Sequence, residues 1–150
     1  MGDERRSGRR TLSSGALLLS QEEGRILFER VDRSLVRVDV EGVADARTGA
    51  GLVRELDRAE LDPEAADLFL DAWDMRGGGV PLRAALCDWL TDRGTHVTLH
   101  LVVDRPVVSM GFAVAGLGAR YASYPDRPSF RAVLRARQHG DRASGSSSEW

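Results

Sequence analysis

Between Leu68 and Leu90 the chain passes from a nearly continuous apolar run, through three glycines, into a helical pattern. The run Leu68 to Trp73 is interrupted only by Asp71, which predicts a strand covered on both faces. Gly77, Gly78 and Gly79 follow, and Pro81 suits the first turn of a helix whose inner face is Leu82, Ala85, Leu86, Trp89 and Leu90. Gly94 ends that helix. A strand handed to a helix across a glycine turn is the building unit of an α/β sheet, and at such a junction a chain can turn, cradle an anion or present itself to a partner.

The flanking sequence repeats the unit. Ile26–Val31 and Leu35–Val40 read as a hairpin, the second with Val36, Val38 and Val40 alternating with Arg37 and Asp39. Asp45 can cap a helix with Leu52, Val53, Leu56 and Ala59 inside. Thr95–Val103 is a further strand, Val107–Leu117 a helix without a charged residue, Tyr121–Tyr124 a short last strand, and Arg127–Gln138 a final helix carrying Phe130, Val133 and Leu134. Two strands followed by alternating helices and strands predict one α/β domain over residues 24–139. Its sheet is mixed and mainly parallel, of about five strands with an antiparallel edge, and it carries about four helices. Residues 1–23 and 140–150 mix charge, Ser and Gly and read as flexible tails.

Composition removes several classes. At 150 residues the chain can bury a core without metals or disulfides, and a net charge of -2 provides no basic field for nucleic acid. All 21 basic residues are arginine, consistent with a GC-rich coding bias. The single cysteine, Cys87, reads as a buried structural thiol and points to a reducing, cytoplasmic setting. The run Ala16–Leu19 is too short for an export signal, and Pro106–Ala119 is shorter than the ~20 residues that span a bilayer, so no membrane insertion is expected.

The order and lengths of these elements resemble the STAS domain family, the fold of anti-sigma-factor antagonists, and the related SpoIIAA-like group. The likeness covers Ile26 to about Ala136 and is carried by LFLDAWDM leading into a helix, by GTHVTLHLVVDRPVVSMGF, and by a last strand ending in YPDRPSF. The resemblance implies a non-enzymatic bacterial regulatory module without a cofactor, whose partner is a protein: another regulator, an anti-sigma-like factor or a signalling kinase. Switching members of the family carry a phosphorylatable Ser or Thr at the turn from the third strand into the second helix. Here that turn reads DMRGGGVP, and Thr91, at the far end of the helix, is the only hydroxyl between Asp74 and Arg93. The phospho-switch therefore has no acceptor at this turn. A binding surface at the turn and the helix after it remains, comprising Asp74, Arg76, Gly77, Gly78, Gly79 and Arg83.

Other chemistries find fewer actors. The glycines could form an anion nest flanked by Arg76 and Arg83, which makes a small-molecule or nucleotide sensor the alternative function, although neither a Walker ending nor G-x-G-x-x-G spacing is present. Asp71 and Asp74 would need a bend in the strand to converge for acid–base work, and otherwise read as a strand-end cap and a partner for Arg76. His96 and His100 lie ~13 Å apart on a strand, too far for one metal ion, and read as a partly solvated face. The uncharged helix Val107–Leu117 either packs within the domain or pairs two copies as a homodimer. Ser13 and Ser14 are candidate regulatory hydroxyls. Trp150 ends the chain in a short docking motif or in no function at all.

Overall fold

A computed structural model of the chain describes residues 9–11, 16–20, 24–77, 79–105 and 116–147. Its sheet has seven strands in sequential order: β1 (Arg9–Thr11), β2 (Ala16–Ser20), β3 (Gly24–Asp32), β4 (Leu35–Val43), β5 (Ala66–Arg76), β6 (Val97–Val102) and β7 (Tyr121–Tyr124). The pairs from β1 to β4 are antiparallel, and those from β4 to β7 are parallel. The predicted mixed α/β class is thus observed, with β3–β7 as its five expected strands and β1 and β2 as an extension within the stretch read as a tail.

Three α-helices are described: α1 (Ala46–Ala59), α2 (Val80–Asp92) and α3 (Arg127–Ser147). The last runs beyond the expected boundary near His139. The fourth expected helix falls largely on residues 106–115, outside the described residues; Leu117 is followed by a short 3-10 turn, Gly118–Arg120. No helix among the described residues is long and apolar enough to cross a membrane.

Cross-strand rows explain the main core. Phe28 pairs with Val38, Val38 with Leu70, and Leu70 with Leu101, while Val36, Leu68 and Leu99 form the next row. All are buried beneath α1 and α2, which contribute Leu52, Leu56, Leu82, Leu86, Trp89 and Leu90. Helix α1 starts where Asp45 Oδ1 accepts from the Thr48 backbone N–H at 2.9 Å. It crosses α2 closely at Gly49, where a Cβ would lie 3.1 Å from Ala85 Cβ.

The opposite face has a smaller core of Leu35, Phe69, Val102, Phe130 and Leu134 beneath α3. That cover overturns one expectation. His100 is buried, not partly solvated, at 5% exposure; its ring stacks on Phe69 at 4.0 Å, with Nε2 2.7 Å from Asp67 Oδ1 and Nδ1 2.9 Å from the Tyr124 hydroxyl. An ionised carboxylate only accepts, so Nε2–H donates to Asp67, and in the neutral ring the Tyr124 hydroxyl donates to Nδ1. Burial raises the Tyr124 pKa above its ordinary value, which keeps that donor protonated.

Candidate functional site

The glycine turn sits at the C-terminal edge of the parallel strands, the usual position of working loops in such sheets. Strand β5 ends at Arg76, and Gly77 and Gly79 take φ of +76° and +64°, the left-handed region that favours glycine. Gly78 lies outside the described residues. Helix α2 begins without a side-chain cap, its first turn closed by the Arg83 N–H donating to Gly79 O at 2.8 Å.

The turn is braced from a distance. Arg105 Nη2 donates to Met75 O at 2.9 Å and to Gly77 O, so these carbonyls face a guanidinium supplied from beyond β6. Met75 is buried beneath the turn, and a Cβ on Gly79 would stand 2.7 Å from its Cε, whereas one on Gly77 would meet nothing within 4 Å. Gly77→Ala and Gly79→Ala should therefore each cost about 1–2 kcal/mol in backbone strain, Gly79→Ala the more by the small shift it asks of the flexible end of Met75. Urea unfolding of the two variants checks the order.

Asp71 and Asp74 converge, contrary to the straight-strand expectation. In the β4–β5 ladder Asp39 faces Asp71 and Glu41 faces Asp74, so β5 has one residue more than β4 across this interval. The bulge brings the two carboxylates to one cation. That cation is Arg127, not Arg76: Nε lies 3.1 Å from Asp71 Oδ2, and Nη2 lies 2.7 Å from Asp74 Oδ2. Burial works against the guanidinium charge, but the Asp74 hydrogen bond and the Asp71 charge prevail and raise the Arg127 pKa. The carboxylates thus fasten the start of α3 to the end of β5.

Asp39 lies beside this cluster, with Arg37 Nη2 3.6 Å from its Oδ2. Burial raises its pKa, the Arg37 charge opposes that rise, and Asp71 adds to it. A raised carboxyl pKa means that the folded state holds the proton more tightly than the unfolded one, so this group's contribution declines as pH rises through its titration. Asp39→Asn should consequently raise the urea midpoint at about pH 7, with the gain vanishing toward about pH 3, where both chains are uncharged at this position. An equal or lower midpoint at neutral pH would contradict this assignment.

Of the six residues expected at the binding surface, Arg76 and Gly77 are exposed, Asp74 is exposed and held by Arg127, Arg83 and Gly79 are partly exposed, and Gly78 lies outside the described residues. Val80, 53% exposed, and Val43, 40% exposed and in register with Arg76, are the exposed large hydrophobics among the described residues, and both adjoin the turn. Cys87 is half-buried on α2; burial raises its pKa despite the nearby Arg83 charge, so the group is a thiol rather than a reactive thiolate. The Thr91 hydroxyl donates to Cys87 O at 3.0 Å within its own helix. No cluster of three or more His, Cys, Asp or Glu that could hold a metal occurs among the described residues.

No family model matches the chain, and no curated protein matches it. Among solved structures it is similar to an anti-sigma factor antagonist from Mycobacterium paratuberculosis, at 18% sequence identity over 84% of this chain and 99% of that one, with a TM-score of 0.48.

Proposed function

We propose that the chain is a non-enzymatic regulatory module of STAS-like type that binds a partner protein through the turn Arg76–Gly79 and the outward face of α2. The observation that carries this reading is the placement of Val43 and Val80. Two exposed aliphatic side chains adjoin a braced turn, Val43 beside Arg76 in the β4–β5 register and Val80 at the start of α2 with Arg83 one helical turn further on, and apolar side chains with cations near them suit contact with a protein. The bracing by Arg105 limits the ordering that association would otherwise require. The complementary partner surface is apolar with acidic residues at its edge.

An acid–base enzyme built on Asp71 and Asp74 is less well supported, because one guanidinium engages both carboxylates. With no hydroxyl at the turn, binding is constitutive or is regulated elsewhere, with Ser13 and Ser14 as candidates. Affinity purification of the tagged chain from its native host should recover a stoichiometric protein that is lost with Arg76→Glu or Val80→Glu. Both positions are exposed, so these variants should fold normally. Undiminished recovery with both would exclude the turn as the binding surface.

A further inference from the structure

Beyond the turn, the outward face of α2 ends in a groove against α1. The two helices touch closely at Gly49, and beside that contact a cleft of about 500 Å³ is lined by the apolar Ala50, Val53, Ala85 and Trp89 and, at its rim, by Asp88, Asp92 and Arg93. This volume lies within the range of about 300–1,000 Å³ typical of ligand clefts. One wall is fixed in advance: Trp89 Nε1 donates to Asp57 Oδ1 at 2.8 Å, and Arg93 Nε donates to the same oxygen at 3.0 Å.

The rim breaks two local rules of helix design. Asp88 and Asp92 are like charges four residues apart, and they occupy the last part of a helix whose C-terminal dipole already repels anions. The last turn of α2 contains no basic residue. Asp92 is 75% exposed and shares the Arg93 guanidinium with Asp57, through Nη1 at 3.7 Å and Nε at 3.0 Å, and Asp88 has no ion pair among the described residues. Local choices that oppose the helix are expected where a surface serves binding.

We infer that the groove between α1 and α2 docks a basic–apolar segment of a protein partner, with an aliphatic side chain against Val53 and Trp89 and an Arg or Lys reaching Asp88 and Asp92. The inference rests on the reading of α2 as the partner face and specifies the chemistry at its far end. Small apolar side chains supply the seat, and the carboxylates of Asp57, Asp88 and Asp92, set against the single Arg93 guanidinium, select a cation and reject an acidic segment.

The probe is a synthetic amphipathic helical peptide of Leu, Ala and Arg, with the same peptide carrying Glu for Arg as control, titrated into the isotope-labelled full chain by NMR. The basic peptide should give saturable shifts at Ala50, Val53, Ala85 and the Trp89 indole N–H, and the acidic peptide should give none. Asp88→Asn with Asp92→Asn should weaken binding about three- to tenfold while leaving Tm unchanged or higher, because two charges at an unfavourable helix end are removed. Ala50→Arg, on an exposed position of α1, should close the groove and abolish binding. Equal binding of both peptides, indifference to both variants, shifts confined to the glycine turn, or no saturable shift would each overturn the inference. The titration needs no native partner, so its failure leaves the turn reading to the co-purification. Retention of the native partner by Arg76→Glu and Val80→Glu would remove the turn without altering the peptide result.

Discussion

His100→Ala is expected to lower the free energy of unfolding by about 3–4 kcal/mol, a large part of the total for a domain of this size. The change removes a ring stacked on Phe69 and leaves Asp67 and the Tyr124 hydroxyl without their shared partner under α3. His100→Leu separates the two losses. It refills most of the volume and restores no hydrogen bond, so it should recover only part of the deficit, and adding Asp67→Asn should recover little more, because Asp67 keeps Arg137, whose Nε lies 3.5 Å from its Oδ2. Urea unfolding of the single and double variants measures each term. Equal stabilities for His100→Leu and wild type would show that packing alone matters there.

The second large effect lies at the other end of α3. Arg127→Ala should cost about 2–3 kcal/mol, because Asp71, 4% exposed, is left with only the Trp73 N–H as hydrogen-bond donor among the contacts described. Arg127 also occupies the first turn of its helix, where the dipole disfavours a cation, so its position depends on the two carboxylates. Arg127→Lys should restore less than half of the loss, since a single ammonium cannot reproduce the Nε and Nη2 contacts to two separate carboxylates. Adding Asp71→Asn to Arg127→Ala should recover most of the stability, and a failure to do so would mean that the bulge depends on Arg127 for packing rather than for charge.

The parts of this fold visible in the sequence are those governed by neighbours along the chain. Alternation of Val36, Val38 and Val40 placed β4, the cap at Asp45 placed α1, and the glycines with Pro81 placed the β5–α2 junction. Features created between distant segments were hidden. The β5 bulge exists only in its pairing with β4, so no periodicity within β5 announces that Asp71 and Asp74 converge. The guanidiniums at work come from far along the chain: Arg127 reaches Asp71 across 56 residues, and Arg105 reaches the turn across 28. Because every basic residue is Arg, residue type offered no means of choosing these two from the remainder. The burial of His100 is hidden for the same reason, since its position on the second sheet face reads as wet until α3 covers it. In the N-terminal stretch, Ala16–Ser20 is short and flanked by polar sequence, and only its register with β3 identifies it as a strand.

At the candidate surface, Arg76 and the glycines were legible as a turn, whereas Val43 and Val80 were not. Val80 adjoins the glycines, and Val43 shares the parity of Arg37, Asp39 and Glu41 on the wet side of β4; that both lie beside one turn depends on the register that sets Val43 against Arg76. Trp89, by contrast, combines the expected core role with a polar tie to Asp57 that makes it a wall of the groove.

The most direct test is site-specific photocrosslinking in the native host, with benzoylphenylalanine at position 80 and, as a control, at exposed position 135 on α3. Binding through the turn predicts one dominant protein adduct from position 80 that disappears with Arg76→Glu and is absent from position 135. The absence of an adduct at position 80, or the same adducts from both positions, would contradict it.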